Sequence, residues 1–288
     1  MKGLDKLKEK LPDYQGKKLR LFQVIAFSSF IISLVFQLIM DSLPRIFPGI
    51  AILQLIAPLT PIIGSLLVLI IGLMIVRSFW KIRDKYLSKY GAKAYQKAFR
   101  LVAIGVPTVI SVVVHSIIPT DLIARYGDTG VSSYYLGTPI SEFLLDFPPL
   151  FLYIRIALFF IFLLLGLIVV FKALGIFGID NMALVYVFYP NESTLQNHEI
   201  YSILRHPTYH SLMLISIGSI FLRFSIYSVI YFLMFLVGMK IHLKLVEEKE
   251  LIERFGEQYK KYRENVPAFF VKLKDFKKYF SILLNKQI

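Results

Sequence analysis

Residues 207–248 read PTYHSLMLISIGSIFLRFSIYSVIYFLMFLVGMKIHLKLVEE, and this stretch decides how the chain must fold. Two apolar runs, 207–223 and 226–246, are separated by Arg223-Phe224-Ser225 alone, a tight turn. As a helix, the first run is near the lower length limit for crossing a ~30 Å hydrocarbon core, and the second reaches it comfortably. The pair therefore reads as a helical hairpin whose two open ends return to one membrane face. Arg205-His206 stands just before the first run and Glu247-Glu248 just after the second, so the hairpin brings a basic corner and an acidic pair together.

Working outward, the 288-residue chain is 56% hydrophobic and only 18% charged, with a mean hydropathy of +0.64. A soluble domain of this size carries more charge and fewer long apolar runs. Further spans are expected at 21–40, 50–76, 101–118 and 150–171, giving an all-α integral membrane protein with about six transmembrane helices. Asp41, Pro44, Pro48 and Gly49 close the first span, and Pro58 and Pro61 kink or delay the second.

Charge orients these spans. Residues 77–100 hold Arg77, Lys81, Arg83, Lys85, Lys89, Lys93, Lys97 and Arg100 against Asp84, a cytoplasmic signature. The segment between Pro119 and Pro149 carries Asp121, Asp128, Glu142 and Asp146 against Arg125, and is expected outside. The net charge of +14 therefore belongs to the membrane surface, with the lipid bilayer as partner and no nucleic acid. With no cysteine, disulfides, thiolate metal sites and a cysteine nucleophile are excluded, and no metal is assigned. Both termini and the site are expected to be cytoplasmic in a multi-pass cell-membrane or endomembrane protein. Residues 1–171 form an N-terminal transmembrane region, 172–270 a cofactor-binding module and 271–288 a basic amphipathic tail. Within 173–205, Gly175 and Gly178 break the helix, and a short hairpin or irregular loop is expected before the penultimate span.

The residue types at the hairpin mouth define a chemistry. Arg205 can grip a carboxylate or phosphate through paired hydrogen bonds, and His206 can exchange a proton near neutral pH. Pro207 suits the first turn of a helix, whose positive dipole end adds to an anion seat. Tyr209 offers an aromatic face to a cation, and Glu247 or Glu248 can hold an ammonium group. An anion seat, a cation seat and an aromatic face suit a zwitterion with an extra positive charge, a description S-adenosylmethionine meets. Beyond the pair, Glu250, Glu253 and Glu257 alternate with Lys249, Arg254, Lys260 and Lys261 and read as a solvated helix. Phe255, Tyr259, Tyr262 and Val266 read as packing residues. His115 is an intramembrane histidine expected to bond a neighbouring helix.

Tyr201-x-x-x-Arg205-His206-Pro207-x-Tyr209 is followed by Glu247-Glu248-x-x-Leu251-x-x-x-Phe255-Gly256-x-x-Tyr259-x-x-Tyr262-x-x-x-Val266-Pro267. In that order the two halves resemble the isoprenylcysteine carboxyl methyltransferase and phospholipid methyltransferase superfamily. The resemblance spans roughly 172–270. It implies a membrane enzyme with a cytosol-facing S-adenosylmethionine pocket and a lipophilic methyl acceptor, a prenylated carboxylate or a lipid, arriving from the bilayer. It also implies cofactor contacts at His198, Tyr201, Arg205, His206, Tyr209 and one or both of Glu247 and Glu248. For the chemistry, Arg205 and Glu248 are the candidate catalytic residues: Arg205 orients a carboxylate of the acceptor or of the cofactor, and Glu248 or His206 takes the proton of an amine acceptor. Similar sequences usually place glycine where Glu199 and Ser211 stand. Two other readings compete: an NADPH-dependent membrane reductase of the sterol reductase type, and a non-enzymatic membrane protein with the same fold. The acceptor, the atom that is methylated and the oligomeric state are not set by the sequence.

Overall fold

The computed structural model describes residues 2–118 and 148–284, and these are helical with no strand among them. The acidic segment expected outside therefore lies, except for Pro148 and Pro149, beyond the described residues. Six helices build the bundle: α1 (Arg20–Ile46), α2 (Thr60–Lys81), α3 (Ala94–Ile117), α4 (Leu150–Phe177), α5 (Pro207–Arg223) and α6 (Ile226–His242). Among the described residues, five helices are long and apolar enough to cross a membrane, α6 qualifying because helical turns continue from it to Asn265; α5, at 17 residues and ended by Phe224, falls short of that length. The outward faces carry exposed Phe27, Ile32, Met74 and Phe171, a surface for lipid rather than for water.

Several boundaries differ from the expected spans. Helix α1 runs on through Asp41 and Pro44, because Asp41 is buried and paired inside the bundle rather than exposed at a helix end. Helix α2 begins only at Thr60, after the short helix Ala51–Leu55 and the turn Ala57–Leu59, so the prolines delay it and Pro61 occupies its first turn. Helix α4 continues past Lys172 to Phe177, where Gly178 at φ 89° stops it. The basic 77–100 connection is itself largely helical, with Arg83–Tyr90 at its centre.

The expected hairpin before α5 contains no strand. Residues 179–202 form short turns, Ile179–Met182, Val185–Phe188, Pro190–Glu192 and Glu199–Ser202, so the irregular form is the one found. Val185, Val187 and Phe188 bury inward, and Leu7 and Leu11 of the N-terminal segment cap them from outside. Lys6 and Lys10 pair with Glu192, at 3.3 and 2.9 Å. Helix α5 lies against α4 at a distance only glycine permits: a Cβ on Gly166 would stand 2.9 Å from the Ser211 carbonyl oxygen. Past α6, the turn Leu243–Glu247 is widened to π-helical form before α7 (Glu248–Asn265), which breaks at Gly256, φ 55°. The last helix among the described residues is α8 (Phe276–Leu283).

Candidate active site

Pro207 opens α5, and residues 205–206 run extended beside 267–268. The Arg205 amide donates to the Pro267 carbonyl at 2.9 Å, and the His206 amide to Ala268 at 3.2 Å. That strap ties the start of α5 to the end of α7. Opposite it, the widened turn delivers the acidic pair. Such turns insert one residue and re-aim the side chains that follow them.

The hairpin mouth closes as the charge pattern demanded. Arg205 Nη2 donates to Glu248 Oε1, while Nη1 donates to the Arg263 carbonyl at 2.8 Å and to that of Val266. Tyr209 donates to Glu247 Oε1. Glu247 Oε2 lies 3.6 Å from His206 Nδ1, and Glu247 Oε1 lies 3.7 Å from His242 Nε2. The His206 and Tyr209 rings stack with centroids 5.7 Å apart. Burial holds the His206 imidazole down to about 3, with Arg205 adding to the effect, so it is neutral at physiological pH. Burial also lifts the Glu247 carboxyl, just beyond α6, to about 7 despite the hydrogen bond from Tyr209.

These groups face a cavity of about 370 Å³. Its polar end is walled by Tyr201, Arg205, His206, Tyr209, His242 and Glu247, with Thr194 and Gln196 from the preceding loop. Its apolar end runs between Val106 and Ile110 of α3 and Val170 and Leu174 of α4, and Val106 is also part of the exposed outer surface. One cavity therefore joins a charged end to a lipid-facing end.

Of the seven residues singled out in the sequence, Arg205, His206, Tyr209, Glu247 and Glu248 converge. Tyr201 lines the wall, its carbonyl held by Tyr262 Oη at 2.6 Å. Glu248 faces Arg205 and is not part of the wall, and His198 is exposed and away from it. Sequence reasoning missed Glu250 and Arg254. Glu250 is buried and Arg254 half-buried on the cavity, with Arg254 Nε 2.7 Å from Glu250 Oε1, where a solvated helix was expected. The signal was present: 247, 250, 251 and 254 share one helical face. Phe255, Tyr259 and Tyr262, read as packing residues, also line the cavity.

Five atoms of residues on this wall, Trp80 Nε1, Arg205 Nε, His206 Nε2, His242 Nε2 and Tyr259 Oη, are buried without a hydrogen-bond partner. Buried polar atoms are rarely left so, and their convergence on one cavity marks a place where a polar ligand supplies what the chain does not. Among the described residues no group of three or more His, Cys, Asp or Glu is placed to hold a metal ion.

Residues 154–258 match the family of phospholipid methyltransferases. The matched stretch runs from α4 into α7, about a third of the chain, and phospholipid methyltransferases belong to the superfamily that the two sequence motifs resemble. The stretch contains every converging residue named above except Trp80, Tyr259 and those after Tyr259. Comparison with curated proteins and with solved structures found no match.

Proposed function

We propose that the protein is an integral membrane methyltransferase that binds S-adenosylmethionine at the polar end of this cavity and methylates a lipophilic acceptor held in the apolar end, at the cytoplasmic interface. The observation that carries this reading is the set of five unpartnered polar atoms on the wall of a cavity lined largely by the stretch that matches the methyltransferase family. The donor set fits the cofactor. Arg205 Nε, His206 Nε2 and Tyr259 Oη suit its carboxylate and hydroxyl groups, while Glu247 and the Tyr209 ring suit its cationic groups. When bound, the cofactor supplies an electrophilic methyl group on a sulfonium.

The chain's own part is alignment and exclusion of water. Arg205 spends both Nη groups on Glu248 and on the carbonyls of Arg263 and Val266, so it holds the mouth shut and presents only Nε to the cavity. A carboxylate acceptor needs no base. An amine acceptor would give its proton to Glu247, which lies on the wall and whose carboxyl burial lifts to about 7, in preference to His206, whose protonated form burial disfavours, and to the Arg-paired Glu248. The basic 77–100 connection lies at the end of the bundle that bears the cavity mouth and favours the cytoplasmic side.

Protein in lipid nanodiscs with tritiated S-adenosylmethionine tests the reading. Arg205→Ala and Glu248→Ala are expected to weaken binding by roughly tenfold or more, the scale of a lost charge-assisted hydrogen bond. Equal binding by wild type and both variants overturns it.

A further inference from the structure

The C-terminal segment beyond the matched domain has two opposed edges. Its inner edge is part of the site's support. Tyr279 and Leu283 are buried in a core with Val169, Ala173, Tyr201 and Leu204, the last directly before Arg205. His210, one turn into α5, is held at both ring nitrogens by this segment: Nδ1 lies 2.6 Å from the Phe269 carbonyl and Nε2 lies 3.0 Å from Tyr279 Oη. A carbonyl only accepts, so Nδ1 carries the proton and Nε2 accepts from the tyrosine. Together with the bonds from the Arg205 and His206 amides to Pro267 and Ala268, the segment grips the corner of the site from behind.

Its outer edge is left uncovered among the described residues. Phe270, Leu273, Phe276, Phe280 and Leu284 are exposed, Leu273 by 88%. Lys272, Lys274, Lys277 and Lys278 are exposed among them, with Asp275 as the single acid. The α8 helix packs on α4, whose own Phe171 is exposed toward lipid, so the apolar outer edge continues the bilayer-facing surface of the bundle. Aromatic and leucine side chains interleaved with four lysines at the bilayer boundary match an anionic leaflet, not a neutral one.

We propose that 270–284 is a recognition surface for anionic lipid headgroups, and that seating it on the leaflet braces the Arg205–His206 corner through Tyr279 and His210. The inference rests on these contacts and not on what fills the cavity, so a failure of the cofactor reading leaves it standing.

Amide hydrogen exchange on the full chain decides it, in nanodiscs of phosphatidylcholine alone or with one third phosphatidylglycerol. Phosphatidylglycerol is expected to slow exchange about tenfold both in 276–283 and in 203–206. In a variant with Lys272, Lys274, Lys277 and Lys278 all changed to Gln, both regions should exchange alike in the two lipids. Tyr279→Phe should keep the lipid response in 276–283 and lose it in 203–206. A wild type indifferent to phosphatidylglycerol, or a glutamine variant that still responds, overturns the lipid recognition. A response in 276–283 without one in 203–206 overturns the bracing.

Discussion

Two clusters of buried polar side chains sit in this bundle, and they differ in one respect that separates architecture from chemistry. In the N-terminal region, His115 of α3 binds Asp41 of α1 at 2.8 Å and Ser65 of α2 at 2.9 Å. Ser65 also donates to Gln37, and Gln37 to Ser111. The composition is that of a Ser-His-Asp triad. Yet Ser65 and His115 are completely buried and touch no part of the cavity, so no substrate can reach the hydroxyl. The cluster pins three helices together, the role expected of an intramembrane histidine. The sealed cluster leaves Asp41 Oδ1 without a hydrogen-bond partner, but away from the cavity. At the hairpin mouth the pairing is as dense, yet five unmatched atoms, Trp80 Nε1, Arg205 Nε, His206 Nε2, His242 Nε2 and Tyr259 Oη, belong to residues that line the cavity. A buried ion pair by itself says nothing of function; unmet hydrogen-bonding capacity facing open space does.

Breaking the sealed cluster should have the largest effect. His115→Ala leaves Asp41 as an uncompensated buried acid and should cost about 3–5 kcal/mol of thermal stability, while the protein that folds binds S-adenosylmethionine as wild type does. Unaltered melting together with lost binding would reverse the roles assigned to the two clusters.

The site should answer to pH instead. Because burial raises the Glu247 carboxyl to about 7, the folded chain holds this proton more tightly than the unfolded chain does. The resulting stability is present in full below the ordinary carboxylate value and is lost as pH rises through about 7. A cationic ligand prefers the ionised form, so its affinity should climb over the same interval. Glu247→Gln should lower affinity by roughly tenfold above that interval and flatten its pH dependence, and titrations of binding against pH in the two proteins will show whether it does.

The smallest effect concerns Glu199, which holds a left-handed backbone at φ 47°. Glycine adopts that conformation without the steric cost that a Cβ imposes. Glu199→Gly should raise stability by about 0.5–1 kcal/mol and leave His115 and Glu247 variants unaffected in their own assays. A loss of stability would mean that the exposed Glu199 side chain contributes more than its backbone costs.

Much of this was legible in the residues. Pro207 and Arg223 bound α5 in the structure as they did in the sequence, because a proline, lacking an N–H, sits at least cost in the first turn of a helix and the turn at 224–225 leaves no room to continue it. The meeting of Arg205 with Glu248 and of Tyr209 with Glu247 followed from hairpin geometry and charge sign. Other features were out of reach. Asp41 reads as a helix-ending acid until His115 is known to lie beside it, 74 positions away. Glu250 and Arg254 read as a solvated pair until the 179–202 turns are seen folding over them.

What the sequence determined alone was local and periodic: where apolar runs are long enough for a bilayer, where prolines and glycines interrupt them, and which charges share a membrane face. What only the tertiary structure decided was which polar groups find partners and which are left facing a cavity. The first depends on neighbours along the chain, and the second on distances between helices that no local pattern encodes.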